Sequence, residues 1–157
     1  MDRRQKRLIA NIVVVITFTV AVVIGFANMK NLINRSESMR AMERLGGEII
    51  SYRQTYGSLP NENYVKQFAE QIGAVRLTNF QYRAQWIEYG SDPNVTVVAY
   101  AEKKYTGLVK SGEVVLWLNG KVEWTSKKHF YEIMESQQKR QELKWIQEQL
   151  QGGKNRP

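Results

Sequence analysis

A chain of 157 residues with 43 % hydrophobic side chains has the length and apolar content of one domain with an appendage, not of a disordered or low-complexity polymer. The absence of cysteine excludes a disulfide framework, a thiolate metal site and a cysteine nucleophile, and a single histidine leaves little room for zinc or histidine-based catalysis. The formal charge of +8 invites a nucleic-acid partner, but residues 1–29 hold net +3 in a short cluster and residues 30–157 hold a dispersed net +5.

Residues 1–7 form a basic flank containing Arg3, Arg4, Lys6 and Arg7, and polarity then changes abruptly. Leu8 to Met29 is a run of 22 residues without a charge. As a helix it spans about 33 Å, against a hydrocarbon core of about 30 Å. Residues 8–29 are therefore expected to be a transmembrane helix, with Leu8, Ile12, Ile16, Val20 and Ile24 among its anchoring residues. A cleaved signal peptide is the first competitor, with Gly25-Phe26-Ala27 as a weak small-x-small site, but the apolar run is longer than such peptides carry. A buried helix of a soluble protein is the second, because runs such as Val13-Val14-Val15-Ile16 also occur in cores. The compact basic cluster outweighs the diluted Lys30, Arg35, Arg40 and Arg44 on the far side. The positive-inside rule then puts the N-terminus in the cytoplasm and the rest outside it.

Beyond the span, Met42, Leu45, Ile49, Tyr52 and Tyr56 recur at intervals of 3 and 4, so the helix continues with one apolar stripe. Gly46-Gly47 within it implies a bend or the close approach of another element. Tyr56-Gly57-Ser58-Leu59-Pro60 ends the helix. Asn61 then caps a short second helix over 62–72, with Tyr64, Val65, Phe68, Ala69 and Ile72 on its apolar face.

The period switches to two at Phe80, Tyr82, Ala84 and Trp86, which predicts a half-buried strand with Gln81, Arg83 and Gln85 on its polar face. Asp92-Pro93-Asn94 is a turn, 95–101 a second strand, and 103–112 a loop. Strands 113–118 and 121–125 are joined by Asn119-Gly120, a strong hairpin signal. A two-residue turn there predicts that Trp117 pairs with Val122 and Val115 with Trp124. Ser126 caps a final helix predicted from Lys127 to about Gln151, presenting Phe130, Ile133 and Met134 first and Leu143, Ile146 and Leu150 later.

The expected fold is therefore α+β, with an N-terminal transmembrane helix continuing into a long amphipathic helix packed on a small antiparallel sheet, plus a C-terminal helix. The soluble domain covers 30–135, and 136–157 is a helical extension with a frayed tail.

Three features carry a family resemblance: the N-terminal apolar helix with its amphipathic second half, the segment Tyr52 to Pro60, and the stretch Glu113-Val-Val-Leu-Trp-Leu-Asn-Gly-Lys-Val-Glu-Trp124. Together they resemble the type IV pilin and type II secretion pseudopilin superfamily over roughly residues 8–135. The resemblance implies a bacterial inner-membrane anchor, a periplasmic domain and a role by assembly. The chain departs from the family at Lys6-Arg7-Leu8, where no Gly precedes the helix, and in having no acidic residue within the span. Neither prepilin processing nor the usual pairing of an intramembrane Glu with a neighbour's amine is then expected. No carboxylate cluster matches the calcium site of pseudopilins, since Glu88 and Asp92 are only loosely placed.

No catalytic set, cofactor site or metal site is evident. His129 has only Glu132 and Glu123 near it in sequence, the acids are scattered singly, and Gly46-Gly47 precedes no phosphate-binding lysine. Trp86, Trp117, Trp124 and Tyr100 read as sheet core rather than as a base-stacking platform. The sequons at Asn34 and Asn94 are frequent by chance. Leu143, Trp145, Ile146 and Leu150 form the candidate partner interface. The expected partners are the lipid bilayer and other membrane or envelope proteins, in a homo- or hetero-oligomer, without nucleic acid or a small-molecule substrate. The function expected is that of a non-enzymatic, single-pass, pilin-like component of an envelope or secretion complex. The alternative is an accessory subunit of a larger membrane enzyme or transporter that docks through its C-terminal helix.

Overall fold

The computed structural model describes residues 3–105, 108–138, 142–143 and 146–147. Helix α1 runs from Arg3 to Tyr56 without interruption, 54 residues in all. Helix α2 covers Glu62–Gly73, strands β1 Phe80–Tyr82, β2 Val97–Lys103, β3 Gly112–Trp117 and β4 Val122–Ser126, and helix α3 Lys127–Gln137. The strands form one antiparallel sheet in the order β1-β2-β3-β4.

The sheet is covered on both faces. On one side the α1 stripe of Ala41, Met42, Leu45 and Ile49 packs with Ala99, Ala101, Val114 and Leu116, and Val65 and Ala69 of α2 close the same core. On the other side Phe130 and Met134 of α3 pack on Val97 and Val115, with Tyr100 and Trp117 at the margin. A bulge between Val97 and Ala99 lets Val98 and Ala99 both face α1 while Val97 faces α3.

The two glycines of α1 have different surroundings. A Cβ on Gly46 would lie 2.7 Å from Leu116 Cδ1, so this position is where the helix approaches the sheet, whereas one on Gly47 would meet nothing within 4 Å. The helix runs through both without interruption. At its end Gly57 takes φ +71° and its N–H donates to the Arg53 carbonyl at 2.9 Å. The buried Tyr82 hydroxyl donates to the Pro60 carbonyl at 2.9 Å, which fixes the chain leaving α1 to the sheet. Asn61 caps α2 as expected, its Oδ1 accepting from the Tyr64 N–H at 2.8 Å.

Four expectations need correction. The first strand stops at Tyr82 and the chain turns into a 3-10 helix over Ala84–Trp86, because Arg83 leaves the extended region and its side chain is engaged on the α3 side. The second strand begins at Val97, since Asp92 holds residues 94–96 in a turn through Asn94 N–H to its Oδ1 at 2.9 Å and Thr96 N–H to its carbonyl at 3.1 Å. The hairpin register is one residue away from that expected, with Leu116 opposite Val122 and Val114 opposite Trp124. Here Gly120, at φ +88°, donates to the Trp117 carbonyl, and Trp117 N–H donates to Lys121. The loop is thus a turn followed by a left-handed glycine rather than a two-residue connection. The extra residue turns Val122 and Trp124 to the α1 face. Finally, α3 ends at Gln137, where the expected helix is interrupted by Gln138 in extended conformation; of the stretch from 139 to Gln151 only residues 142–143 and 146–147 are described, and they are helical.

The glycine pair gives an internal comparison. Gly46→Leu overpacks the helix–sheet contact and is expected to cost about 1–3 kcal/mol. Gly47→Ala has open space and is expected to gain about 0.5–1 kcal/mol from helix propensity. Denaturant unfolding of the full-length variants in detergent measures both, and equal effects would contradict the packing described.

Candidate functional site

No described element brings together a nucleophile, a base and an orienting group. Three surfaces and one buried cluster carry the chain's chemistry instead. The first surface is the N-terminal part of α1. Leu8, Ile12, Ile16, Val20 and Ile24 are all exposed, and the most apolar stretch of the helix is entirely unburied within the protein. Such a helix passes the length and composition test for a membrane span, as does a signal sequence. Its polar members are satisfied locally, Thr19 donating to the Val15 carbonyl at 2.9 Å and Asn28 to the Ile24 carbonyl at 2.8 Å. Arg3, Arg4, Lys6 and Arg7 occupy the exposed first turns of the same helix.

The buried cluster is the one the sequence did not announce. Arg83 is 2 % exposed and Glu142 1 % exposed, and they meet as an ion pair through Arg83 Nε to Oε1 at 2.5 Å and Nη2 to Oε2 at 3.0 Å. The guanidinium also donates to the Val97 carbonyl at 2.8 Å and to the Gln137 carbonyl at 3.0 Å. Arg83 therefore neutralises a buried carboxylate and caps the C-terminus of α3, where a cation opposes the helix dipole. The Gln137 side chain completes the arrangement, donating to the Val95 carbonyl at 2.7 Å and accepting from the Val97 N–H at 2.9 Å. This is why α3 stops where it does: its terminal carbonyl is claimed by Arg83, and the run Gln137 to Gln141 offers no apolar face to prolong it.

Glu142 anchors the chain at the start of the expected partner interface. Leu143 remains 44 % exposed and Ile146 is half-buried, whereas Trp145 and Leu150 lie outside the described residues. The second surface is thus represented by two residues on short helical stretches.

The third is an open cleft of about 740 Å³ where the chain leaves α1, lined by Leu59, Tyr82, Ile87, Tyr89 and Leu118 with Arg53 at its rim. Glu62, Glu88, Asn61, Gln85 and Ser91 also line it, so the cleft mixes apolar with charged and polar side chains.

The four aromatic residues singled out in the sequence do not form one platform. Trp124 faces α1, with the Arg35 guanidinium 4.4 Å above its ring and Tyr105 stacked on it at 5.9 Å. Tyr100 packs on Phe130 at 4.8 Å on the opposite face of the sheet, with Trp117. Trp86 sits in the 3-10 turn. His129 is exposed at the start of α3, its Nδ1 3.3 Å from Glu132. Among the described residues no group of three or more His, Asp or Glu is placed to hold a metal ion.

Glu113 is buried on β3 directly opposite Glu102 of β2, and its Oε2 has no hydrogen-bond partner among the described residues. Burial pushes its carboxyl up to about 7, and the Glu102 charge adds to the shift against the opposing Lys127 and Lys104. Glu102 is held low by hydrogen bonds from Lys127, Lys104 and Asn79, which outweigh its own desolvation.

Compared with family models, curated proteins and solved structures, the chain matches none.

Two predictions follow from the buried charges. Arg83→Met or Glu142→Leu leaves the other partner charged and buried, and is expected to cost about 3–5 kcal/mol, with the double variant losing less than either. Urea unfolding followed by tryptophan fluorescence reads this, and additive losses would contradict the pairing. For Glu113 the folded state keeps its proton to higher pH than the unfolded state, so stability falls as pH rises from the ordinary carboxylate range through about 7. Glu113→Gln is accordingly expected to be more stable than the parent near pH 8 by about 1–3 kcal/mol, with the difference vanishing near pH 4. An advantage independent of pH would show that the carboxyl titrates normally.

Proposed function

We propose that this chain is a single-pass, membrane-anchored, non-enzymatic protein of pilin-like design, whose α+β head serves assembly in an envelope or secretion complex. The observation that carries the proposal is the change in character of α1. One unbroken helix is apolar and unburied over its first half and contributes the core stripe of the head over its second. A helix apolar on every side needs an apolar medium around it, and the bilayer supplies one at this length. Its N-terminal cations set the N-terminus in the cytoplasm and the head on the opposite, periplasmic side. The order of long helix, antiparallel sheet and hairpin supports the pilin-like reading. The absence of a Gly before the apolar span 8–29 and of an acidic residue within that span supports a permanent anchor rather than a processed filament subunit.

A second reading, an accessory subunit of a larger membrane enzyme or transporter, is favoured by the exposure of Leu143 next to the anchored Glu142, which offers an apolar residue on a fixed base. Purification in mild detergent separates the two: secretion or pilus machinery supports the first, and a stoichiometric catalytic subunit supports the second.

The lack of cysteine makes topology directly measurable. Tyr89 is fully exposed on the head, so Tyr89→Cys in the membrane-bound protein is expected to react with an impermeant maleimide applied to intact cells whose outer membrane has been permeabilised. The protein is also expected to stay in the pellet after alkaline carbonate washing. Labelling only after lysis would reverse the orientation, and release by carbonate would remove the anchor.

A further inference from the structure

The loop between β2 and β3 reaches back along α1 to the end of its apolar run. The Leu108 N–H donates to Asn28 Oδ1 at 3.0 Å, a contact spanning 80 residues of chain. From residue 3 to residue 30 every α1 position is exposed except Asn28, which is half-covered. Asn28, Asn31, Arg35 and Ser38, at intervals of 3, 4 and 3, are the positions of this stretch shielded along one line of the helix. The head therefore overlaps α1 as far as Asn28 on that side.

Away from that line, exposed apolar side chains continue up α1 at Met29, Leu32 and Ile33, interrupted by Lys30. Ile33 lies five residues beyond Asn28, about 7.5 Å along the axis. A bilayer that wets α1 up to Ile33 thus meets the loop, because Asn28 and the Leu108 amide bound to it sit below that level. Leu108 is 80 % exposed, an apolar side chain left largely uncovered by the described residues. Lys30, two residues beyond Asn28 on α1, and Lys110, two residues beyond Leu108 in the loop, are exposed, and Lys104 is bridged to Glu102 at 3.2 Å. The loop thus carries an apolar tip two residues before Lys110, whose charge complements anionic headgroups.

We propose that the β2–β3 loop is a second bilayer contact, with Leu108 seated in the interface among anionic lipids and Lys30 and Lys110 at the headgroups. The proposal rests on the membrane-span reading of α1 and adds that the head is held down on the bilayer rather than lifted away from it on a stalk. Asn28 then has a structural reason to be polar inside an apolar segment: its carboxamide takes one carbonyl of α1 and one amide of the loop.

Full-length variants carrying one cysteine each, Phe18→Cys, Leu108→Cys and Tyr89→Cys, can be spin-labelled and reconstituted in phosphatidylglycerol–phosphatidylcholine vesicles. The ratio of oxygen to water-soluble nickel-chelate accessibility is then measured at each site. The expected order is Phe18 above Leu108 above Tyr89, with Leu108 several-fold above Tyr89 and falling when the anionic lipid is left out. A Leu108 ratio equal to that of Tyr89, with Phe18 still in hydrocarbon, overturns the loop contact and leaves the span standing. A Phe18 ratio equal to that of Tyr89 overturns the span and the loop contact together.

Discussion

An α-helix that is apolar all round cannot hide its surface against a four-stranded sheet, whereas one apolar along a single stripe can. Helix α1 is each of these in turn, and everything else in the molecule is arranged around the place where it changes. Through Ile24 its large apolar side chains stand exposed on every side. From Ser38 onward one line of buried residues, Ser38, Ala41, Met42, Leu45 and Ile49, faces the sheet while Arg40, Glu43 and Arg44 remain outside the core. Because the helix is continuous, the direction of the first half sets the position of the head on the second.

The head is fastened to that helix without covalent help, and the means differ between the two faces of the sheet. Facing α1 the contact is close packing, which Gly46 permits by bringing the backbone up to Leu116. On the α3 face it is partly ionic. Arg83 joins the end of β1, the bulged carbonyl of Val97, the end of α3 and the carboxylate of Glu142 in one buried group. A pair of this kind specifies an arrangement more than it adds stability, since replacing either member alone leaves a charge without a partner. It holds Glu142 on the domain, leaving Leu143 outward beside it.

Much of the architecture is legible in the sequence because the signals are local. The apolar run, the 3-and-4 spacing of Met42, Leu45 and Ile49, the Asn61 cap and the Ser126 cap each declare an element within a few residues, and each is found. The hairpin shows where local signals stop. Asn119-Gly120 serves either a two-residue turn or a turn closed by a left-handed glycine. The choice falls to Leu118, which is buried in the core and whose amide donates to Thr96 at 2.8 Å, and to Asn119, whose amide reaches Pro93. Those partners come from another part of the chain. The same applies to Arg83: its period-two position does point it away from α1, but the face it joins is covered by α3 and by Glu142, 59 residues further on. No spacing rule reports that. Of the four residues expected at a partner interface, Leu143 and Ile146 are among those described, and Trp145 and Leu150 fall outside them.

The account turns on the two halves of α1 having different surroundings, and cysteine scanning measures this most directly, since the parent has no thiol of its own. Each position from Leu8 to Tyr56 would be replaced in turn and exposed, in protein reconstituted into vesicles, to a water-soluble maleimide. The account predicts protection without periodicity from Leu8 to Met29, then reactivity from Ser38 onward that rises and falls every three to four residues with minima at Met42, Leu45 and Ile49. Reactivity of the first half that is uniform, or that follows the same helical period, would contradict it.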